Sequence, residues 1–323
     1  MLEHVNRRSR FLSVCFYFWL VGLSTWVVAL QERTAAATES LRVMSFNIWV
    51  GGEEGKQPLS QTVEVIKAAR ADIVGLQETH GFEKEGKRPD NGPKLAAMLG
   101  WTYFDQGDST GILSRYPIVT NTPGRWGVLV RMRPDKEVWL FNAHLAHAPY
   151  QPYQLLSIPY ANAPFIKTAR EAVLEARKAR GEQVAELLKE LKPALASGKP
   201  VFLTGDFNEP SHQDWTEAAA KAGKVPIAVE YPATLDVTKA GMRDTYRLMY
   251  EDEVAKRGNT WTPTTRPDDP KDRHDRIDFV FLGGRELKVR SCEVVGEDSK
   301  YADIVVKPYP SDHRGVVTTV EME

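Results

Sequence analysis

Several apolar runs in this sequence stop abruptly at acids, amides or imidazoles, the residue types that bind cations and move protons. The stretch FLTGDFNEPS, residues 202–211, shows the pattern, because a strand-like run ends at Asp206 and Asn208. If the chain stays extended there, both side chains point to the same side, since side chains alternate along a strand. A turn in which Asp and Asn bond their own backbone would explain one such ending equally well.

The same kind of ending recurs along the chain, which favours a shared site over a series of unrelated turns. The polar residues that follow or interrupt the other apolar runs are Asn47, Gln77, Glu78, Asn142, His144, Asp278, Asp312 and His313. Folds that mix helices and strands place their ligands at strand ends. We therefore expect these side chains to meet at one edge of the fold.

The segments that must position these residues alternate between strand-like and helix-like patterns, without a low-complexity linker. We predict strands at residues 41–47, 72–77, 111–114, 126–133, 137–145, 201–206, 277–282 and 316–322. We predict helices at residues 59–70, 92–99, 166–191 and 212–222. Lys192 and Pro193 are expected to end the third helix. The mixture of a hairpin with intervening helices favours an α/β sandwich over a purely parallel sheet.

Taken together, the strand-end residues resemble the endonuclease/exonuclease/phosphatase superfamily, the deoxyribonuclease I-like metal-dependent phosphoesterases. The resemblance extends over about residues 41–322, with the motifs in the order of the family. It implies the fold class α/β, in the form of a four-layer α/β sandwich. Two mixed β-sheets would be flanked by helices, with the site at one rim.

The chemistry of phosphodiester hydrolysis requires residues of these types. It needs a cation that neutralises phosphoryl oxygens, a positioned water molecule and stabilisation of the leaving oxygen. Hard oxygen ligands suit Mg²⁺ or Mn²⁺ better than structural zinc. The resemblance implies Glu78 as the principal metal ligand with Asn47 beside it, and Asp312 as a ligand that binds directly or through water. Whether one or two metals bind stays open.

The resemblance also implies roles for the remaining polar residues. Asp206 would orient or deprotonate the attacking water, and Asn208 would position that water and the phosphate. His144 and His313 would hydrogen-bond the phosphoryl oxygens. An unpaired acid inside an apolar strand is costly, so we expect Asp278 to pair with His313. Members of the superfamily differ on whether the Asp206 position or the His–Asp pair is the general base, and that choice stays open here.

The aromatic segment, residues 147–165, follows the His144 strand directly and reads HAPYQPYQLLSIPYANAPF. We take Tyr150, Tyr153 and His147 as candidates for the rim of the substrate site. Such residues could stack on bases, cover a lipid headgroup or simply pack over the sandwich.

The resulting interpretation is an exported, metal-dependent phosphoesterase, most simply a phosphodiesterase of nuclease-like type that acts as a monomer without an obligate protein partner. Its substrate would be a phosphate ester: nucleic acid, a phospholipid headgroup or a small phosphate. One alternative is a phosphomonoesterase acting on an inositol phosphate or a nucleotide. Another is a non-catalytic binding module, which the complete set of polar residues disfavours. Asp275 lies in a charged run and is expected in a solvated loop, as a minor candidate for a further acid.

The formal net charge of the 323 residues is −1, so no global field draws the protein to nucleic acid or anionic membrane. Arg7 and Arg8 precede an apolar run over residues 11–30, and Ala37 closes an Ala-x-Ala site. This order is typical of a secretory signal. We therefore predict a signal peptide at residues 1–37, or alternatively a membrane anchor through 11–30. The catalytic domain would be residues 38–323, exported to the periplasm or the extracellular space.

The cysteine content adds one constraint on the exported domain. Cys15 lies inside the predicted signal, which leaves Cys292 alone in the body of the chain. A single cysteine forms no internal disulfide, so the exported fold must be stabilised by its core.

Overall fold

The computed structural model describes residues 39–322, so the predicted signal or anchor at residues 1–37 lies outside the described residues. The strands are β1 (Glu39–Asn47), β2 (Ile73–Gln77), β3 (Thr102–Gly107), β4 (Thr110–Ser114), β5 (Ile118–Asn121), β6 (Gly127–Arg133), β7 (Lys136–His144), β8 (Pro200–Asp206), β9 (Arg243–Asp244), β10 (Asp278–Gly284), β11 (Val289–Gly296), β12 (Ile304–Val305) and β13 (Gly315–Met322). The helices are α1 (Trp49–Gly52), α2 (Leu59–Ala68), α3 (Gly92–Leu99), α4 (Gln151–Leu156), α5 (Ala169–Leu195), α6 (Glu217–Lys221), α7 (Pro232–Lys239) and α8 (Thr245–Met249).

The strands form two mixed sheets. The seven-stranded sheet has the order β12-β11-β13-β1-β2-β4-β3, and the six-stranded sheet has the order β5-β6-β7-β8-β10-β9. The pairs β1–β2 and β7–β8 are parallel, and most of their neighbours are antiparallel. The chain thus begins in the seven-stranded sheet, builds the six-stranded sheet, and returns to the first sheet through β11 to β13.

Alternation along each strand produces the four layers. In β1, Leu41 and Val43 face the core between the two sheets, whereas Met44 and Phe46 pack against the outer helices α2 and α3. The same alternation in the six-stranded sheet turns other apolar side chains toward α5 and α7. Burying apolar residues on both faces of a sheet requires a layer on each side. The predicted four-layer α/β sandwich is therefore confirmed.

Each predicted strand is present, with ends shifted by a residue or so. The strands absent from the prediction are β3, β5, β9, β11 and β12, which are short, or have exposed alternate residues, or lie at sheet edges. The short helices α1, α4, α7 and α8 were also not predicted. Periodicity detects central strands best, because both of their faces are buried.

Two predicted helix boundaries were wrong. Helix α5 does not end at Pro193 but continues to Leu195, and its start carries a capping box between Thr168 and Glu171. A proline in the last turn removes one backbone donor without disrupting the turns before it. The predicted helix at residues 212–222 is present only as Glu217–Lys221. Thr216 caps its start, because the side chain of Thr216 accepts a hydrogen bond from the backbone N–H of Ala219 in the first turn.

Among residues 39–322, no helix has both the length and the apolar character needed to cross a bilayer.

Candidate active site

Strand register brings three of the predicted site residues together at one end of the six-stranded sheet. His144 at the end of β7 pairs with Asp206 at the end of β8, and Asp278 at the start of β10 pairs with Asp206 from the other side. Asn47 ends β1 of the facing sheet, and His313 precedes β13 of that sheet. The site therefore draws side chains from both sheets.

The carboxylate of Asp206 lies at the centre of this group, which we call the Asp206 cluster: Asn47, His144, Asp206, Asp278 and His313. The Oδ2 atom of Asp206 accepts a hydrogen bond from Asn47 Nδ2 at 3.0 Å. The Nε2 atoms of His144 and His313 each lie 3.6 Å from the same oxygen. One buried carboxylate oxygen thus faces an amide and two imidazoles.

Asn208 does not continue the strand in the extended conformation that was expected. Strand β8 ends at Asp206, and Asn208 adopts the left-handed region with φ 48°. The Oδ1 atom of Asp206 accepts the backbone N–H of Asn208 at 2.9 Å, while Asn208 Nδ2 donates to the carbonyl of Leu145 at 3.1 Å. The two carboxylate oxygens of Asp206 therefore have different surroundings. Oδ1 stabilises a turn, and Oδ2 faces the Asp206 cluster.

Asp278 and His313 form the expected pair. The distance from His313 Nδ1 to Asp278 Oδ2 is 2.9 Å, and both residues are buried. Burial alone would lower the pKa of His313, but the carboxylates of Asp278 and Asp206 outweigh it and raise that pKa well above its ordinary value. Because a carboxylate lies near each ring nitrogen, we describe this pair as an imidazolium and a carboxylate.

The predicted metal ligands lie beside this cluster. Asn47 Nδ2 is 3.2 Å from Glu78 Oε1, and the backbone N–H of Val50 donates to Glu78 Oε2 at 2.9 Å. Glu78 itself has φ 57° at the end of β2, which turns the chain sharply there. The amide oxygen of Asn47 accepts from the N–H of Trp49 at 3.0 Å, so a half-turn of this amide would be needed to direct its oxygen to a cation.

Asp312 shows that the site suits a cation. It is buried, and within residues 39–322 no donor reaches its Oδ1 atom. Burial raises the pKa of Asp312 to about 7, and the negative charges of Glu78 and Asp206 add to that effect while His313 opposes it. A divalent cation would compensate this excess of negative charge, and the oxygen donors present fit Mg²⁺ or Mn²⁺. The residues therefore fit the metal that the family implies.

A second arrangement of possible ligand atoms is Asp206, Asp278 and His313, whose atoms lie within 4.8 Å of one another among the described residues. The Nδ1 atom of His313 is already committed to Asp278 at hydrogen-bond distance. We therefore interpret Asp278 and His313 as a hydrogen-bonded pair beside Asp206, and Glu78, Asn47 and Asp312 remain the candidate cation ligands.

Asp275 is not in a solvated loop, so that expectation was wrong. It is fully buried and accepts hydrogen bonds from Tyr150 at 3.0 Å and from the indole of Trp215 at 3.1 Å. Arg273 Nε lies 3.3 Å away and supplies a compensating charge. Asp275 therefore holds the aromatic segment through its hydrogen bond with Tyr150, and it does not belong to the Asp206 cluster.

The three rim candidates differ in exposure. Tyr150 is buried, Tyr153 is half-buried and His147 is exposed. Together with Tyr160 and Trp261 they line a small cavity that borders Asn208. Trp261 had no distinguishing signal in the sequence, although its ring lies 4.9 Å from that of His313.

Gln77 and Asn142 do not reach the cluster, although both are strand-end amides. Gln77 Nε2 donates to Asn142 Oδ1 at 2.6 Å, and Asn142 Nδ2 donates to the carbonyl of Leu76 at 2.9 Å. These amides are buried and bond each other and the backbone, while Gln77 Oε1 has no partner among the described residues. They therefore lie outside the Asp206 cluster.

Comparisons with known proteins agree with this geometry. The family model described as "Endonuclease/Exonuclease/phosphatase family" matches residues 44–313. A Caenorhabditis elegans relative, "Uncharacterized protein F14F9.5", is 28% identical over 308 residues, covering 87% of this chain and 91% of that protein.

Solved structures share the fold at low sequence identity. TDP2 from C. elegans has a TM-score of 0.52 at 16% identity, covering 90% of this chain and 78% of that one. D. rerio TDP2 complexed with single strand DNA product has a TM-score of 0.52 at 17% identity, covering 88% and 100%. The 3'-5' exonuclease from Neisseria meningitidis has a TM-score of 0.52 at 17% identity, covering 87% and 100%. The chain belongs to the endonuclease/exonuclease/phosphatase family, and it is a hydrolase that acts on phosphate esters.

Proposed function

We propose that the protein is an exported phosphodiesterase that depends on Mg²⁺ or Mn²⁺ and hydrolyses its substrate by in-line attack of water. The observation that carries this proposal is the environment of Asp206 Oδ2. That oxygen accepts from Asn47 at 3.0 Å and lies 3.6 Å from each of two imidazole nitrogens. A turn alone would not require this convergence from two sheets.

Each residue of the cluster has a distinct task. Asp206 orients the attacking water and accepts its proton, because the carboxylates beside His313 raise its pKa and favour its proton-donating form. His313 and His144 donate hydrogen bonds to phosphoryl oxygens, where negative charge develops during the reaction. Asp278 holds the ring of His313 through Nδ1 at 2.9 Å. We therefore propose Asp206 as the general base, a choice that the sequence left open.

Glu78, Asn47 and Asp312 would hold the cation. When bound, it would neutralise charge on the phosphoryl group and lower the cost of bringing an anionic ester next to Asp206. The excess negative charge around Asp312 supports this role, because such charge opposes the approach of a phosphate unless a cation is present.

A diester is favoured over a monoester by the names of two structural neighbours. One is described as a 3'-5' exonuclease and another was solved with a single strand DNA product. Both share the fold of this chain. A phosphomonoesterase remains the alternative, and the assay must distinguish it from a phosphodiesterase.

A substrate panel tests this function. Purified protein would be assayed with and without Mg²⁺ on plasmid DNA, RNA, sphingomyelin, bis-p-nitrophenyl phosphate and p-nitrophenyl phosphate. We expect metal-dependent hydrolysis of at least one diester, and faster hydrolysis of bis-p-nitrophenyl phosphate than of the monoester. Hydrolysis of the monoester alone would replace the proposal with a phosphomonoesterase.

Export is part of the proposal and rests on the sequence of residues 1–37. Protein recovered from its native host should begin near Thr38, which N-terminal sequencing would determine. Membrane-bound protein that begins before Phe11 would establish the anchor instead.

A further inference from the structure

A cavity of about 110 Å³ opens next to the Asp206 cluster. Its walls are mainly aromatic and include Tyr150, Tyr153, Tyr160, Trp261, Ile277 and Asn208, which we call the aromatic box. Two of these residues also border the cluster: Asn208 donates its N–H to Asp206, and the Trp261 ring lies 4.9 Å from the His313 ring. A group held in the box would therefore be adjacent to a phosphate held at the cluster.

The rings of the box stand perpendicular to one another. The planes of Tyr150 and Tyr153 meet at 88° with centroids 4.9 Å apart, and those of Tyr153 and Tyr160 meet at 87° with centroids 5.6 Å apart. A nucleobase stacks on a parallel aromatic face. Perpendicular rings instead enclose a compact, rounded group, which several π faces can approach at once.

Three polar groups of the box, the Tyr150 and Tyr153 hydroxyls and the Trp261 indole N–H, are already committed elsewhere. The Tyr150 hydroxyl donates to Asp275 at 3.0 Å, the Tyr153 hydroxyl donates to Asp272, and the Trp261 indole donates to Asp272 at 3.3 Å. A base or a sugar bound here would bury polar edges without partners, which is costly. A quaternary ammonium group carries no N–H and requires none.

The surrounding charge favours a cation. Asp272 accepts from Tyr153, Trp261, Thr265 and the backbone N–H of Arg273, all of them uncharged donors. Asp275 differs, since Arg273 lies 3.3 Å and Arg257 3.9 Å from it. Phenols that donate to carboxylates have more electron-rich rings, and electron-rich rings attract cations more strongly.

Tyr160 of the box lies within the electrostatic influence of the site. Burial raises the pKa of Tyr160, and Glu78 and Asp206 raise it further, whereas Arg180 lowers it. His147 packs edge-on against it with centroids 6.2 Å apart.

We propose that the aromatic box binds the quaternary ammonium group of a phosphocholine ester while the Asp206 cluster holds its phosphoryl group. This inference rests on the proposed phosphodiesterase function. In the reaction, the oxygen of water bonds to phosphorus and the bond from phosphorus to the leaving alcohol oxygen breaks. One proton of the water passes to Asp206, the leaving oxygen takes a proton from the solvent, and choline stays on the phosphate.

The test compares two diesters of equal shape. One is p-nitrophenyl phosphorylcholine, and the other is p-nitrophenyl 3,3-dimethylbutyl phosphate, in which carbon replaces the ammonium nitrogen. We expect kcat/KM for the choline ester to exceed that for the neutral ester by about tenfold or more, as cation–π contacts with several rings provide. Tyr153→Leu keeps an apolar wall but removes a π face, so it should bring the ratio close to one.

A matched control is Phe165→Leu, which changes an exposed aromatic of the same segment outside the box. Its ratio should equal that of the unaltered protein. If Tyr153→Leu does not fold, calorimetry on the unaltered protein supplies an independent measurement. It should bind choline chloride and show no comparable heat with 3,3-dimethylbutan-1-ol.

The outcomes separate the two proposals. Choline binding without hydrolysis of any ester would support the box and overturn the phosphodiesterase function. Equal kcat/KM for the two matched diesters, with no choline binding, would overturn the box alone. Faster hydrolysis of thymidine 5'-(p-nitrophenyl phosphate) than of the choline ester would identify a nucleobase site and also overturn it. If the choline preference holds, sphingomyelin in detergent micelles and glycerophosphocholine then distinguish a lipid from a soluble source.

Discussion

Two buried groups of charged residues lie close together in this protein and behave in opposite ways. In the Asp206 cluster, carboxylates face amides, imidazoles and one another, and the neighbouring Asp312 has its pKa raised to about 7 by burial. In the second group, which we call the Arg276 cluster, Asp214 and Asp244 face Arg276 and Arg247 at 2.7–2.9 Å.

The electrostatic balance is reversed in the Arg276 cluster. Burial would raise the pKa of Asp214, but the guanidinium groups of Arg276 and Arg247 outweigh it and hold the pKa below its ordinary value. The guanidinium of Arg276 also lies 4.8 Å from the centroid of the Phe279 ring. Equally buried acids are thus compensated in one cluster and left with excess charge in the other. We infer that the Arg276 cluster is structural and that the Asp206 cluster is kept ready for a cation and an anionic substrate.

The strongest test of this contrast is Asp206→Asn. We expect turnover to fall by about 10³- to 10⁴-fold, as for other catalytic carboxylates. The free energy of unfolding should change by less than about 1 kcal/mol, because asparagine still accepts from the N–H of Asn208 and one charge leaves a crowded group. Steady-state kinetics and denaturant unfolding measure the two quantities, and full activity would contradict the mechanism.

The double variant Asp206→Asn with His313→Ala examines whether the cluster acts as one unit. Each single change should lower turnover by orders of magnitude. The double variant should be far less impaired than the product of the two effects predicts, since grouped catalytic residues are not additive. A strictly multiplicative loss would mean that the two residues act independently.

The matched change in the Arg276 cluster is Asp214→Asn. Removing this charge leaves Arg276 and Arg247 buried with too little compensation, so we expect a loss of about 3–5 kcal/mol in the free energy of unfolding. Turnover per folded molecule should stay close to that of the unaltered protein. A normal stability together with a large loss of turnover would reverse our assignment of the two clusters.

Glu78→Gln tests the cation itself. Removing the anionic ligand should raise the Mg²⁺ concentration at half-maximal rate and lower the maximal rate by about 10²-fold, with the fold intact. Rate measured against Mg²⁺ concentration gives both values. Glu64→Gln is a suitable control, because Glu64 is an exposed acid on α2. Unchanged rate and half-saturation in Glu78→Gln would remove this residue from the site.

The smallest effect is expected at the buried ion pair of Arg180 and Glu209. Arg180 NH1 lies 3.6 Å from Glu209 Oε2, and burial raises the pKa of Glu209 to about 7 although Arg180 lowers it. The folded pKa therefore exceeds the unfolded value of 4.5, so the folded state binds more protons between these values. Stability contributed by this group is present below about pH 4.5, and it is lost as the pH rises toward 7.

In Arg180→Met the pKa of Glu209 should rise further, because the charge that lowered it is gone. The loss of stability with rising pH should therefore continue to higher pH. We expect the variant to be destabilised by about 1–3 kcal/mol more at pH 8 than at pH 5. Denaturant unfolding of both proteins at the two pH values measures the difference. A penalty that is the same at both values would show that Glu209 does not respond to Arg180.

The two clusters also show what can be predicted from the sequence. Central strands and the convergence of their polar ends followed from alternation, because strand register carries His144 and Asp278 to either side of Asp206. The identity of their partners did not follow. Arg276 and Asp278 are two residues apart, yet they belong to different clusters, and only the packing of β9 beside β10 brings Asp244 to Arg276.

The same limit explains the errors around the aromatic segment. Asp275 sits in a strongly charged run, so its burial beneath Tyr150 and Trp215 has no local signal. Trp261 likewise comes close to His313 through an isolated bridge between segments distant in sequence. Contacts of this kind depend on loop paths, which no periodicity records.

Strand β1 separates the first and last described residues from the site. This nine-residue strand starts at Glu39, beside its partner Met322, and ends at Asn47 in the site. An extended strand of that length spans about 26 Å. Glu39 and Met322 thus lie at the end of β1 that is opposite the site. A protein attached to a solid support at either of these two residues would present its site at the far end of β1, toward dissolved substrates.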